Sequence, residues 1–440
     1  MTDTPAPADI RGLDASPVAA AVAFKPGRAW AAVVLLFLVG VVNIVDRVLP
    51  GLLVEPIKHD LGLSDTAVGL INGFGFLAVY SLVGLPLARI ADRGLYGLVI
   101  SSCVGLWSLM TLLGSMTQTG LQFAATRMGV AIGEAGNTPT AHAFVARNFA
   151  PTRRGLPLAV LSMAVPCASL LGTMGGGLLG QAVGWRNTLL FMGLVGLVLA
   201  PLVLLVLGPR QPVLGSAPSK GLNFRSAGVL LRKPSYLTCM AAVTFIGMGG
   251  YTMVTFGAAF LMRVHHMSLA QVGLNYGLAA GTAGLISTVI SGVSADRLSR
   301  RDPRWCLGVI VIMVALLAPF AFAAFLVKGA IAALVCMALG NIIGGGAYLT
   351  PSIAAIQRLA PVDLKATASA IFLLCGSMGG AVGPLIAGMI SDALTPKYGA
   401  NALAHAMMVT PIAYTMAGIL FGLATLTYRR DMVEDEKGDD

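Results

Sequence analysis

Asp46 and Arg47 are neighbours inside one long apolar run of this chain, and Arg127 and Glu134 stand seven residues apart inside another. An ionisable side chain at the centre of a membrane helix costs about 2.5–3.5 kcal/mol on insertion scales. Four of them unpaired would cost on the order of 10 kcal/mol on the same scale, so pairing, hydration or both are expected. A helix of 3.6 residues per turn sets Arg127 and Glu134 on one face, about 10 Å apart along its axis. Charge retained at that cost, facing the interior of a bundle, marks an ion or substrate path. Burial disfavours the charged carboxylate, which suits Glu134 to binding and releasing a proton near neutral pH. Arg47 is expected to snorkel toward the outer interface or to bridge a loop.

The surrounding composition explains why these charges stand out. Of 440 residues, 56% are hydrophobic and only 11% charged, against about 25% charged in a soluble domain. Mean hydropathy is +0.83. This is the composition of a polytopic membrane protein. The net charge of +10 lies in alternate loops, among them Arg89 and Arg93, Arg147 with Arg153 and Arg154, and Arg297 with Arg300, Arg301 and Arg304. By the positive-inside rule both termini and the long central loop are expected in the cytoplasm of a cell (inner) membrane protein. Such a surface should meet anionic lipid headgroups, with no nucleic acid as partner.

Apolar runs of about 20 residues, the length that spans a bilayer, are expected as helices near 29–52, 64–88, 96–116, 120–145, 156–182 and 187–207. After a break they continue near 236–262, 269–293, 305–326, 330–357, 365–391 and 405–428. The expected fold class is therefore all-α, with twelve transmembrane helices. Its divisions are a cytoplasmic segment 1–28, a six-helix bundle 29–207, a proline-rich basic linker 208–235, a second bundle 236–428 and an acidic tail 429–440. The opening stretch shows no short apolar core with a small-residue cleavage site, so the first helix is expected as an uncleaved anchor.

The two halves repeat each other. Ala91-Asp92-Arg93 follows the second helix and Ala295-Asp296-Arg297 follows the eighth. The fifth and eleventh helices each carry an internal proline (Pro166, Pro384) with closely spaced glycines, Gly172 to Gly180 on one and Gly376 to Gly388 on the other. Close helix packing is the plain reading of those glycines, and flexing during a conformational cycle the sharper one.

On these residues the chain resembles the major facilitator superfamily over about 29–428. Its second loop copy ends in Arg300-Arg301, whereas the first has Ala88 where the leading glycine is expected and Leu95-Tyr96 where a basic pair is. A narrower resemblance is to the Spinster branch of lysolipid and sphingolipid exporter-like proteins. It rests on Asn43-Ile44-Val45-Asp46-Arg47 in the first helix and Arg127-Met128-Gly129-Val130-Ala131-Ile132-Gly133-Glu134-Ala135 in the fourth. The resemblance implies two pseudo-symmetric six-helix bundles working by alternating access, with the first and fourth helices lining the cavity. Asp46 and Arg127 are then expected to pair, leaving Glu134 deeper and free to titrate, and the three to form the proton-coupling and substrate-binding group. A fixed Asp46–Arg127 bridge beside a permanently protonated Glu134 is the structural alternative. Asp92, Arg93, Asp296 and Arg297 are expected as a conformational latch.

Secondary cavity candidates are Asn43, His142, Tyr251, Thr255, Asn341 and Tyr348. His142 is read either as a proton-relay step or as a hydrogen-bonded helix-end histidine. The six cysteines are scattered in or beside apolar segments as packing residues, and no metal or cofactor is expected. Without a Gly-Lys dipeptide there is no phosphate-binding loop, and no nucleophile and base converge, so an enzyme is not expected. The leading expectation is a monomeric, proton-coupled transporter of an amphipathic, lipid-like molecule. Export of drug-like compounds, transport of small organic anions, and a non-transporting receptor or scaffold are the alternatives.

Overall fold

The computed structural model describes residues 26–91, 93–150, 153–210, 226–343, 348–361 and 364–432. The expected N-terminal segment, central linker and acidic tail therefore fall mostly outside the described residues, as do Asp92 and the side chain of Asp296.

Seven described stretches are long and apolar enough to cross a membrane by length and composition. Two of them, Gly155–Leu207 and Lys365–Asp431, run for 53 and 67 residues, far beyond the 20 or so that a bilayer needs. Each doubles back. The first reverses at Gly184, whose φ of 79° and ψ of 165° leave the helical region, a conformation that glycine adopts without a Cβ penalty. The second reverses after Tyr398, through Gly399–Asn401 and the short helix Ala402–Ala406.

Among the described residues the chain makes twelve helical passes. The first is Pro26–Leu52, followed by a short helix, Val54–Leu61, on the end of the bundle opposite the termini. The second begins at Asp65–Gly69, widens into a π-helical segment at Leu70–Gly75 and continues as Phe76–Ala91. The third is Tyr96–Gly114, and the fourth is Gly120–Ala135 continued by Asn137–Asn148. The fifth and sixth lie in Gly155–Ser162 and Ala164–Leu207. The seventh is Pro234–His265, the eighth Leu269–Ser299, the ninth Trp305–Ala323, and the tenth Ala330–Ile342 with Leu349–Leu359. The eleventh is Lys365–Tyr398 and the twelfth Val409–Asp431.

Three apolar clusters hold these passes together. One belongs largely to the first six helices, around Trp107, Val130 and Phe144. A second belongs to the last six, around Tyr236, Phe372 and Phe421. The third draws on both sets at the end opposite the termini, where Leu49, Leu53 and Ile57 meet Phe256, Phe260 and Met407. The halves are thus sealed together at that end by apolar burial.

Glycines set how closely the backbones approach. A Cβ added at Gly193 would stand 2.8 Å from the backbone nitrogen of Leu112 and from the carbonyl oxygen of Ser108. At Gly175 it would meet nothing within 4 Å. Gly193→Leu should therefore lower the thermal midpoint of the detergent-solubilised protein, at a cost of about 1–3 kcal/mol from overpacking. Gly175→Leu should leave it nearly unchanged. Equal melting curves for the two variants would show that the third and sixth helices are not in backbone contact.

Candidate functional site

Asp46 and Arg47 lie six and five residues before the end of the first helix, and both turn into the bundle. The fourth helix supplies their partners. It is held against the third by Gly133, where a Cβ would fall 2.7 Å from the Trp107 backbone nitrogen. It then breaks at Gly136, immediately after the site, and the Thr140 hydroxyl donates to the Gly136 carbonyl at 2.6 Å. Back-bonding of a hydroxyl to the carbonyl four residues earlier accompanies bends in helices.

The pairing differs from the sequence expectation for two residues. Arg47 does not snorkel; it donates from Nη2 at 2.6 Å and from Nε at 2.9 Å to Oε2 of Glu134, which is 0% exposed. Glu134 is therefore not left free beside an Asp46–Arg127 bridge but carries a charged partner of its own. The reason is reach, because the long guanidinium side chain spans the turns separating it from a carboxylate deeper in the bundle. Asp46 and Arg127 do face each other, with Nη1 4.0 Å from Oδ2. That distance is long for a hydrogen bond. The short contact of Asp46 is with Thr111 of the third helix, whose hydroxyl donates to Oδ2 at 2.7 Å.

Two aromatic rings on the second helix organise the arginines. Phe76 and Tyr80 stack with centroids 6.3 Å apart. The Arg47 guanidinium carbon lies 4.7 Å from the Tyr80 centroid and 5.7 Å from that of Phe76, and the Arg127 carbon lies 5.1 Å from Phe76. One buried phenyl ring thus serves two cations, an arrangement favourable in a desolvated setting.

A cavity of about 10 Å³ opens beside these groups, lined by Arg47, Gly51, Asn72, Phe76, Arg127, Tyr251, Val254 and Thr255. That is room for about one water molecule. Several buried atoms at or near the charged group have no hydrogen-bond partner, among them Asn43 Nδ2, Asp46 Oδ1, Asn72 Oδ1, Arg127 Nε and Glu134 Oε1. Unmet buried capacity of this kind is costly unless a ligand, water or proton uses it.

The remaining sequence candidates distribute unevenly. Tyr251 and Thr255 reach the cavity from the seventh helix, and Asn43 is buried at 1% exposure on the first. His142 is exposed, with Nδ1 3.0 Å from the Thr138 carbonyl of its own helix. Tyr348 packs on the apolar cluster of the second half, and Asn341 is partly buried on the tenth helix. Arg93 and Arg297 are exposed. Asn72, Phe76, Tyr80 and Thr111 were not legible as site residues. Asn72 alone carried a signal, as an amide within an apolar run.

A family model described as the Major Facilitator Superfamily matches residues 36–384. The chain belongs to that superfamily. It is a multi-pass membrane transporter, not an enzyme, and within the superfamily its sequence is similar to Spinster members. An "MFS-type efflux pump" of Mycolicibacterium smegmatis is 52% identical over 416 residues, covering 94% of this chain and 96% of that one. The sphingosine-1-phosphate transporter of Danio rerio is 24% identical over 428 residues, covering 89% and 82%. The crystal structure of a bacterial homologue of the human lysosomal transporter Spinster, inward-facing and unoccupied, superposes with a TM-score of 0.83. It shares 24% identity, over 93% of this chain and all of that one, and it supports the all-helical facilitator fold alone.

Removing one member of a buried pair strands the other, at about 3–5 kcal/mol, whereas removing both is far milder. Arg47→Ala should therefore destabilise this transporter strongly, and adding Glu134→Gln should restore most of the loss. Thermal melting of the two single variants and the double variant measures the coupling. Additive losses would show that the two side chains do not depend on each other.

Proposed function

We infer that this protein is a proton-coupled, alternating-access transporter of an amphipathic, lipid-like molecule of lysolipid or sphingoid type. The observation that carries the reading is the double pairing of Asp46 with Arg127 and Arg47 with Glu134 beside one cavity. Two acids and two bases within one buried site can exchange partners. When Glu134 takes a proton it no longer needs Arg47, whose guanidinium is then available to an acidic or phosphate-bearing headgroup. When the headgroup leaves, Arg47 returns and the proton is released. Coupling follows because the site holds either the proton with the substrate or neither.

The cavity wall opposite these charges supports an amphipathic cargo. The seventh helix contributes Val254, Tyr251 and Thr255 and no charge at that level. A headgroup and an acyl chain use both walls, and a small soluble anion uses one. The two basic turns, Asp92-Arg93 and Asp296-Arg297, belong in this reading to a latch on the cytoplasmic side, with both termini on that side. The similarity to the efflux pump of M. smegmatis favours a second reading in which the cargo is a drug-like compound.

Glu134→Gln should abolish flux driven by a pH gradient in proteoliposomes while substrate binding remains measurable. Undiminished gradient-driven flux in this variant would remove Glu134 from the coupling step. Affinity should climb with acyl length at fixed headgroup, by about 0.8 kcal/mol per buried methylene, up to the length of the cavity that forms when the halves part. Binding or flux across a chain-length series in vesicles reads this directly. A flat response with strong binding of a short sugar or dicarboxylate would favour a small-solute transporter.

A further inference from the structure

The end of the bundle opposite the termini carries a second charged cluster, separate from the cavity. Asp65, at the start of the second helix, is 1% exposed. Arg263, in the last turn of the seventh helix, grips it with both terminal nitrogens, Nη1 to Oδ2 and Nη2 to Oδ1, each at 2.7 Å. The same guanidinium donates from Nε to Oε1 of Glu55 at 2.7 Å. Lys58 donates to Oδ1 of Asp65 at 2.5 Å, and the Ser391 hydroxyl donates to Oδ2 at 2.6 Å. Asp392 completes the cluster by accepting from the backbone N–H groups of Asp65 (3.0 Å) and Thr66 (2.8 Å) and from the Thr66 hydroxyl (2.6 Å).

Glu55, Lys58, Asp65 and Thr66 come from the first half of the chain, and Arg263, Ser391 and Asp392 from the second. Apart from the Lys58–Asp65 contact, every bond just named crosses between the halves. The backbones beneath are already in contact, because a Cβ at Gly388 would overlap the Asp65 carbonyl and one at Gly69 would overlap the Pro384 carbonyl. The geometry points to Arg263 as the bolt of an outer gate, whose release from Asp65 and Glu55 is required before the outer mouth of the transporter can open. This rests on the alternating-access reading and on the orientation given above.

The chemistry fits a reversible closure better than a permanent staple. The Arg263 and Glu55 side chains keep 16% and 25% of their surface exposed. Water can therefore reach the bolt from outside and rehydrate it as the halves part. Asp65 lies beneath and keeps only Lys58 once the Arg263 fork and the Ser391 hydroxyl withdraw, so partial opening leaves a buried carboxylate under-compensated and is disfavoured. An interface of this kind has two stable arrangements and few in between. The bidentate fork also specifies position, since both carboxylate oxygens of Asp65 must be aligned with one guanidinium plane.

The test reads distance rather than transport. Spin labels at Gln118→Cys and Lys328→Cys, exposed positions on outer loops of the two halves, are introduced after replacement of the six native cysteines, and pulsed electron resonance records the distance distribution in lipid. Arg263→Ala, and more mildly Asp392→Asn, should raise the population of long outer distances by about tenfold, within the range that interface contacts contribute to a two-state balance. Arg263→Lys should fall between, because an ammonium cannot make the fork. Conversely, Thr66→Cys with Asp392→Cys, bridged by a short bifunctional thiol reagent, should remove long outer distances and regain them on reduction. If Arg263→Ala does not fold, Asp392→Asn and the bridged pair decide the matter. Unchanged distributions in these variants, even with lowered melting temperatures, would overturn the proposal and leave a structural staple. Shifted distributions without gradient-driven flux in the unmodified protein would sustain the gate and remove the proton-coupling reading instead.

Discussion

A charge placed where water is scarce must be met by another charge, and the interior of this transporter is arranged around that requirement. Glu134 has no exposure, and the bond from Arg47 stabilises its ionised form. Arg127, Asp46 and Thr111 extend the same compensation to the third helix, and Phe76 supplies a ring face to both arginines. Helices one, two, three and four are therefore tied to one another around the buried charges by polar and cation–ring contacts. Elsewhere in the same half their association rests on apolar packing and close backbone approach, which give less positional definition than a directed ion pair.

The second charged cluster has a different physical character. The central pairs are enclosed by helices of the first half and border the cavity, whereas the pairs around Asp65 join the two halves and touch solvent at one edge. One set keeps charge inside the molecule at tolerable cost, and the other keeps two bodies in register. Apolar contacts such as Leu53, Ile57, Phe256 and Phe260 close the space between the two levels. Between them lies the π-helical segment Leu70–Gly75, where a Cβ added at Gly73 would stand 3.1 Å from the Pro384 ring.

The helical class and the order of the passes were legible because a bilayer imposes a length and a polarity on every span. The central charges were legible for the same reason, since few residues can justify a carboxylate inside an apolar run. Their pairing was not fully legible. Asp46 and Arg47 are adjacent, and helical periodicity alone does not say which of two neighbours reaches across to which partner. The cluster around Asp65 was hidden for a simpler reason. The expected seventh and eleventh helices stop at 262 and 391, one residue short of Arg263 and Asp392, whereas the helices run on to His265 and Tyr398. Its members also lie about 200 to 330 positions apart in sequence, beyond any local pattern.

The wide turn at Leu70–Gly75 gives the second helix a property that a regular helix lacks. A π turn stores one residue more than an α turn of the same height, so moving that surplus along the chain rotates the residues it passes by about 100° without breaking the helix. On one side of it stands Asp65, fixed in the charged cluster at the end opposite the termini; on the other stand Phe76 and Tyr80, leaning on the two arginines. The segment lies between these two levels on one continuous helix. A shift of the surplus residue along this segment would turn the side chains between the charged cluster and the aromatic rings while leaving the helix continuous.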